Sequence, residues 1–101
     1  MTIPYKKSAE RRTQILEAAC KLAQDSHYSK VRRHHLAEIC GTASGNISRV
    51  MGSMSDLRQA MIEHALVNGY DTVVAQAIVN KHPAISHLST IERATYLQAM
   101  A

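Results

Sequence analysis

The sequence contains no phenylalanine or tryptophan, and its aromatic residues are four tyrosines. Its apolar residues are mainly Ala, Leu, Ile, Val and Met, which suit packed helices better than a sheet rich in aromatic and β-branched residues. Cys20 and Cys40 are too few for a disulfide scaffold, so we expect two reduced, buried thiols. No apolar run is long enough to span a membrane, and residues 4–7 do not lead into a signal peptide. These absences predict a soluble cytoplasmic protein.

The chain of 101 residues predicts one domain with an uneven charge. Residues 1–50 contain nine of the twelve Lys and Arg residues but only four of the eight acids, whereas residues 51–101 contain three basic and four acidic residues. A basic half beside a neutral half is expected when one face of a protein meets phosphate. A solvated surface that happens to be basic explains the same distribution, so charge alone leaves both interpretations open.

Apolar residues recur at helical spacing along most of the chain. Glycines, Pro83 and two Ser-x-x-acid capping patterns, at Ser53 and Ser89, divide the sequence into six predicted helices and no strands. The predicted helices cover about residues 9–24, 32–40, 43–51, 54–68, 71–81 and 90–100. We expect residues 1–8 to be a flexible basic arm, residues 9–56 a DNA-binding unit, and residues 57–101 helices that complete the core and form a dimer.

Residues 33–52 fit a helix-turn-helix, in which two short helices meet at a steep angle across a tight turn. Ala37 supplies the small residue needed where the backbones approach, and Gly41 supplies the left-handed residue that opens the turn. Ile47 is the branched apolar residue that points back at the first helix. The remaining buried contacts are expected from Leu36, Cys40 and Val50. An αα-corner with a glycine turn that does not bind DNA is the alternative interpretation.

These residues also carry a family resemblance, which covers about residues 9–66. The matching segments are Ile15–Ala19, Leu36–Gly41, Ser44–Ser48, Ser53 and Leu57. Together they resemble the N-terminal DNA-binding domain of TetR-family repressors. The resemblance implies a three-helix DNA-binding unit, a long fourth helix and a dimer on a palindromic operator.

The sequence departs from the family pattern at four positions. The family has Tyr and Phe at the positions of Ser48 and Met51, a His near Val50 and a Lys at Met54. The Tyr and Lys anchors, which grip the DNA backbone in the family, therefore cannot be carried over. The family also has a large C-terminal ligand-binding domain, but only about 35 residues follow residue 66, too few for an ordinary pocket. We expect either a regulator without a small-molecule effector or a fragment of a longer chain.

The second helix of a helix-turn-helix presents its N-terminal residues to base edges in the major groove. Asn46 can pair with adenine and Arg49 with guanine, and Ser44 and Ser48 complete the expected base contacts. The alternative interpretation is that Asn46 and Arg49 are ordinary exposed polar residues that do not contact DNA. Contacts to the DNA backbone, including the minor groove for the basic arm, are expected from Arg32, Arg33, His34, Thr42, Gly45, Lys6, Lys7, Arg11 and Arg12.

The C-terminal region contains more apolar residues than a three-helix unit and one long helix can cover. We therefore expect a homodimer, with an interface formed by Val73, Val74, Ala77, Ile78, Ile91 and Leu97. The alternative is that these side chains fold back and complete the core of a monomer. A dimer would place two recognition helices about 34–36 Å apart, one turn of the duplex.

No pattern in the sequence indicates catalysis, and we expect no enzyme activity, cofactor or metal. His34, His35 and Glu38 have helical spacing that could hold a metal, but no further Cys pair or His falls at ligand spacing. Cys40 occupies an apolar position of the motif, which favours packing over nucleophilic chemistry.

The sequence thus predicts a sequence-specific, nucleoid-associated transcriptional regulator. We expect a repressor that binds a palindromic operator as a homodimer. Two other functions stay open. One is an architectural or replication and partition protein that binds DNA with weak sequence preference. The other is a protein-interaction module that kept the shape of the motif and lost DNA binding, as the missing Tyr and Lys anchors would allow.

Overall fold

A computed structural model describes residues 8–98, and throughout that range the chain forms helices and turns without any strand. The described helices are α1 (Ser8–Asp25), α2 (Arg33–Cys40), α3 (Ser44–Met51), α4 (Met54–Asn68), α5 (Asp71–Val79) and α6 (Thr90–Gln98), with single 3-10 turns at Tyr28–Lys30 and Pro83–Ile85. The predicted all-α fold is confirmed for these residues. Of the predicted flexible arm, Ser8 begins α1, while Lys6 and Lys7 lie outside the described residues.

Local sequence signals determine where the helices begin and end. Asp56 N–H donates to Ser53 Oγ at 3.1 Å and Ser53 N–H to Asp56 Oδ2 at 3.0 Å, which forms the predicted capping box of α4. Ser89 and Glu92 make the same reciprocal pair before α6, at 2.9 and 3.1 Å. Gly69 ends α4 in the left-handed conformation, with φ 79° and ψ 25°. The predicted capping patterns are therefore confirmed.

The core lies around α1, which packs against α2, α3, α4 and α5. Ile15 of α1, Leu36 of α2 and Ile47 of α3 have no exposed area, and Leu57 of α4 is 1% exposed. Each contributes the apolar face predicted for its helix. Both cysteines are buried as predicted, and burial raises the pKa of the Cys20 thiol to about 12. Contacts with α1 and α4 thus fix how the pair formed by α2 and α3 sits on the rest of the chain.

Helix α5 corrects part of the predicted dimer interface. Val73, Val74 and Ala77 have no exposed area and Ile78 is only 9% exposed, because α5 packs within the chain against α1, α4 and α6. A helix that is apolar on nearly every side is stable only when it is covered all round. The assignment of these four residues to a dimer interface is therefore wrong, and they complete the core of the chain itself.

One buried polar residue joins this helix to the segment between α1 and α2. Gln76 is 5% exposed, donates through Nε2 to the Ala23 carbonyl at 2.9 Å and accepts the Tyr28 N–H at 3.0 Å. The Tyr28 ring is itself only 5% exposed, and its hydroxyl accepts a hydrogen bond from Asn80 at 3.2 Å. The segment between α1 and α2, which lies outside the predicted helices, is thus anchored to the core just ahead of α2.

Candidate nucleic-acid interface

The turn between α2 and α3 has the backbone that its sequence predicts. Gly41 adopts the left-handed conformation, with φ 66° and ψ 41°, which suits glycine because it has no Cβ. The Thr42 N–H donates to the Ala37 carbonyl at 2.9 Å, so the turn closes directly onto the end of α2. Ala37 is 5% exposed and Ile47 has no exposed area. The two short helices are therefore packed against each other at the positions predicted for small and branched residues.

The edge of α3 that faces away from the core is polar. Ser44, Gly45 and Arg49 are exposed, while Asn46 and Ser48 are partly buried. A Cβ placed on Gly45 would meet no heavy atom within 4 Å, so its backbone borders open space. The predicted base-contacting residues therefore lie on the side of α3 that faces away from the core, with Asn46 and Arg49 on one flank and Ser44 and Ser48 on the other.

Hydrogen bonds orient the central side chains of this edge. Asn46 donates through Nδ2 to Thr42 Oγ1 at 2.7 Å, and Asn46 Oδ1 accepts from Arg49 Nη2 at 2.6 Å. Asn46 keeps one N–H and one acceptor position for a further partner, and Arg49 keeps four of its five N–H donors. The three residues form a connected polar surface whose side chains are already held in one arrangement.

Basic residues surround the start of α2. Arg32 is the exposed residue immediately before the helix, and its Nη1 donates to the Ser29 carbonyl at 3.1 Å. Arg33 is partly buried, and His34 is exposed with its ring 4.2 Å from that of His35. Three of the predicted backbone-contacting residues thus share the first turn of α2 and its flank.

Arg11 and Arg12, also predicted to contact the DNA backbone, bind to the ends of α2 and α3. Arg11 Nη1 donates to the Cys40 carbonyl at 3.3 Å and to Gln14 Oε1 at 3.1 Å. Arg12 Nη1 lies 3.7 Å from the Met51 sulfur. A cation at the last carbonyls of a helix stabilises that helix end. Arg11 therefore has a structural role in holding α2, whatever else it contacts.

The arginines near α2 and α3 form no ion pair with an acidic side chain of the described residues. Within residues 8–98 the single ion pair joins His64 Nε2 and Glu17 Oε1 at 3.3 Å, on α4 and α1. No ion pair within that range involves Arg32, Arg33 or Arg49. Unpaired arginines on one side of a domain create a positive potential that attracts phosphate.

Sequence reasoning missed Arg58, a residue of α4. Its Nη2 donates to the Ser29 carbonyl at 3.5 Å, the same oxygen that accepts from Arg32. The only sequence signal was that Arg58 is one of three basic residues in a half of the chain with slightly more acids than bases. Its position beside Arg32 depends on how α4 packs, which helical spacing does not reveal.

A groove of about 440 Å³ lies between α1, α2 and the segment that joins them, and no sequence pattern predicts it. Leu22, Val31 and Ile39 supply apolar walls, and polar atoms come from Lys30 and Glu38 among others. The volume falls within the range of small-molecule sites. The groove is formed by α1, α2 and the segment between them, and not by the C-terminal region in which the family resemblance would place a ligand pocket.

Comparisons of the chain with protein-family models, with curated proteins and with solved structures find no match. No helix among residues 8–98 combines the length and apolar character needed to cross a membrane. The same part of the chain contains no group of three or more His, Cys, Asp or Glu side chains placed to hold a metal ion. Function must therefore be argued from the geometry of the site.

Proposed function

We propose that this chain is a sequence-specific DNA-binding transcriptional regulator in which α2 and α3 act as a helix-turn-helix. In this proposal α3 enters the major groove, Asn46 reads adenine and Arg49 reads guanine. Arg32 and Arg33 contact phosphates beside the groove. The chain acts as a repressor without a small-molecule effector, in the manner of the DNA-binding domains of TetR-family repressors that its sequence resembles.

One observation carries this proposal, namely the exposed polar edge of α3 held by the Thr42–Asn46–Arg49 hydrogen bonds. Side chains that are already ordered lose less conformational entropy on binding than free ones do. The unpaired arginines at the start of α2 lie on the other helix of the pair, where the first helix of a helix-turn-helix crosses the phosphate backbone. An apolar or acidic edge on α3 would have argued against DNA binding by this helix.

The proposal includes a homodimer on a palindromic operator, because two-fold symmetric proteins bind two half-sites. With α5 covered by the chain's own core, the proposed interface lies on α6. Ile91 is 80% exposed and Leu97 is 39% exposed. No residue of α6 within the described range is fully buried, so this helix has area available for a partner.

Selection of bound duplexes from a random pool tests the proposal directly. The expected result is a two-fold symmetric site with a large affinity ratio over random DNA. Asn46→Ala should then cost about 1–3 kcal/mol at one base position, while Arg33→Ala should weaken all sequences about equally. Gln24→Ala, at an exposed position of α1, is the matched control and should change neither quantity.

The other outcomes identify the other functions. Binding that depends on salt but shows no preferred sequence would indicate an architectural DNA-binding protein and would overturn the regulator. No binding to any duplex would overturn DNA recognition altogether and would favour an interaction module. Equal losses on specific and random duplexes for Asn46→Ala would contradict the role assigned to that residue.

A further inference from the structure

Two arginines from different parts of the chain converge on one backbone oxygen. The Ser29 carbonyl accepts Arg32 Nη1 at 3.1 Å and Arg58 Nη2 at 3.5 Å. Ser29 lies in the 3-10 turn between α1 and α2, Arg32 immediately precedes α2, and Arg58 lies in α4. Two segments that are distant in sequence, residues 29–32 and α4, thus bring two guanidinium groups to the same point.

This cluster has positive charge that nothing in the described residues neutralises. Neither guanidinium forms an ion pair with a carboxylate between residues 8 and 98. The carboxylate of Asp56, two residues before Arg58, is committed to the Ser53 N–H. Arg58 Nε is buried with no hydrogen-bond partner. Desolvation by burial and, second, the charge of the nearby Arg58 lower the pKa of His82.

Like charges held this close repel each other unless an anion lies between them. Each guanidinium has five N–H donors in a planar fork, and Ser29 occupies one of them on each side chain. The free donors suit a tetrahedral anion with several oxygens, since arginine binds phosphate through paired hydrogen bonds. Arg32 adjoins the first turn of α2, the part of the chain that the proposed function directs at the DNA backbone.

We propose that Arg32 and Arg58 together bind one phosphodiester group of the DNA, with Arg58 contributed by α4 from outside the helix-turn-helix. This inference rests on the proposed function and adds a contact that the α2–α3 pair does not contain. It also gives the turn at Ser29 a role, since that carbonyl orients both guanidinium groups before DNA arrives.

Salt dependence measures such a contact. The slope of log K against log salt should become shallower in Arg58→Gln, by at most about 0.9 because the two arginines share one phosphate, and affinity near 0.1 M salt should fall roughly tenfold on specific and random duplexes alike. Lys21→Gln is the control, because Lys21 is an exposed cation of α1 that forms no ion pair within the described residues. That variant should keep the slope of the unmodified chain.

Two further variants separate charge from folding. Arg58→Lys keeps the charge and should restore the slope, whereas Arg58→Met keeps the apolar stem and should show the same loss as Arg58→Gln. Thermal melting checks that each variant is folded. Single neutral methylphosphonate substitutions along the duplex identify the phosphate, and the Arg32→Gln and Arg58→Met variants should lose sensitivity at the same position.

Every outcome of this experiment bears on the inference. An unchanged slope in both neutral variants of Arg58, with the unmodified chain still binding DNA, overturns the phosphate contact and leaves the proposed function standing. A slope in Arg58→Lys as shallow as that of Arg58→Met assigns Arg58 a structural role and also overturns it. Failure of the unmodified chain to bind any duplex overturns the inference and the proposed function together.

Discussion

Tyr70 donates its hydroxyl hydrogen to the Glu17 carboxylate and so joins the turn after α4 to the middle of α1. The His64 ring lies beside the same carboxylate, at 3.3 Å. The hydrogen bond from Tyr70 is the largest cause that lowers the pKa of Glu17 from its ordinary value of 4.5. The same bond, with burial, raises the pKa of Tyr70 to about 12. Each side chain thus holds its partner in the protonation state that favours folding at neutral pH.

The effect on stability has a definite sign at each end of the pH scale. Because folding lowers the pKa of Glu17, its contribution is present above pH 4.5 and is lost as the pH falls through the folded pKa. Because folding raises the pKa of Tyr70, its contribution is complete below pH 10 and is lost as the pH rises towards 12. We therefore expect the free energy of unfolding to decrease in acid and in strong alkali.

Tyr70→Phe should lower the free energy of unfolding by about 1 kcal/mol at pH 7, which is below the usual contribution of a bond to a charged group, because the Glu17 side chain is 39% exposed. The pKa of Glu17 should rise towards 4.5. The carboxyl carbon of Glu17, followed by NMR, and urea unfolding at pH 7 and pH 3 check both effects. Tyr96→Phe, a partly buried tyrosine of α6, is the control. An unchanged Glu17 titration would contradict the assignment.

Gln76→Leu should be strongly destabilising although it replaces a polar residue in an apolar helix. The Tyr28 N–H would lose its partner in a buried environment, and the Ala23 carbonyl would keep only its bond from the Ser26 N–H at 3.3 Å. Leaving the buried N–H unsatisfied costs about 1–3 kcal/mol. Chemical unfolding measures the loss, and Gln98→Leu at an exposed position of α6 is the control. A loss no larger than that of the control would show that Gln76 does not anchor the turn ahead of α2.

The helices and their ends could be predicted from the sequence because their signals are local. A serine three residues before an acid caps α4 and α6, and Gly41 and Gly69 end their helices, whatever packs around them. The outward edge of α3 was predicted for the same reason, because helical spacing alone puts Asn46 and Arg49 on neighbouring turns.

The rest depended on how distant segments pack. The helix α5 is apolar on nearly every side, so its sequence did not distinguish a core position from a dimer interface, and the dimer was the wrong choice for Val73 and its neighbours. Tyr28 lies in a polar segment, and its burial depends on how that segment packs against α1, α4 and α5. Arg58 reaches Ser29 across 29 residues, so its place beside Arg32 could not be predicted.

Gly52→Ala should destabilise the chain, because Gly52 has φ 82° and ψ −143°, a conformation that L side chains rarely adopt. An added Cβ would also lie 2.5 Å from Asp56 Oδ2, within the capping box that begins α4. We expect a loss of about 1–3 kcal/mol in thermal or urea unfolding. Gly45→Ala is the matched control, since its Cβ meets nothing within 4 Å, and it should be neutral or slightly stabilising. Equal stability of the two variants would refute this account of the α3–α4 junction.

Ile91→Glu tests whether α6 is the face on which two copies of the chain meet. Ile91 is 80% exposed, and a two-fold interface uses the same patch on both subunits, so the substitution would add two carboxylates to one contact. The unmodified chain should sediment as a dimer of two 11.2 kDa chains, and the variant should sediment as a monomer. The variant should also bind a palindromic site more weakly than the unmodified chain does. Ile39→Glu, 55% exposed on α2, is the control and should leave the dimer intact.

A monomeric unmodified chain at about 100 μM would exclude any dimer tight enough to matter for operator binding. A dimer that survives Ile91→Glu would move the interface elsewhere, because no symmetric apolar contact centred on this residue tolerates two facing charges.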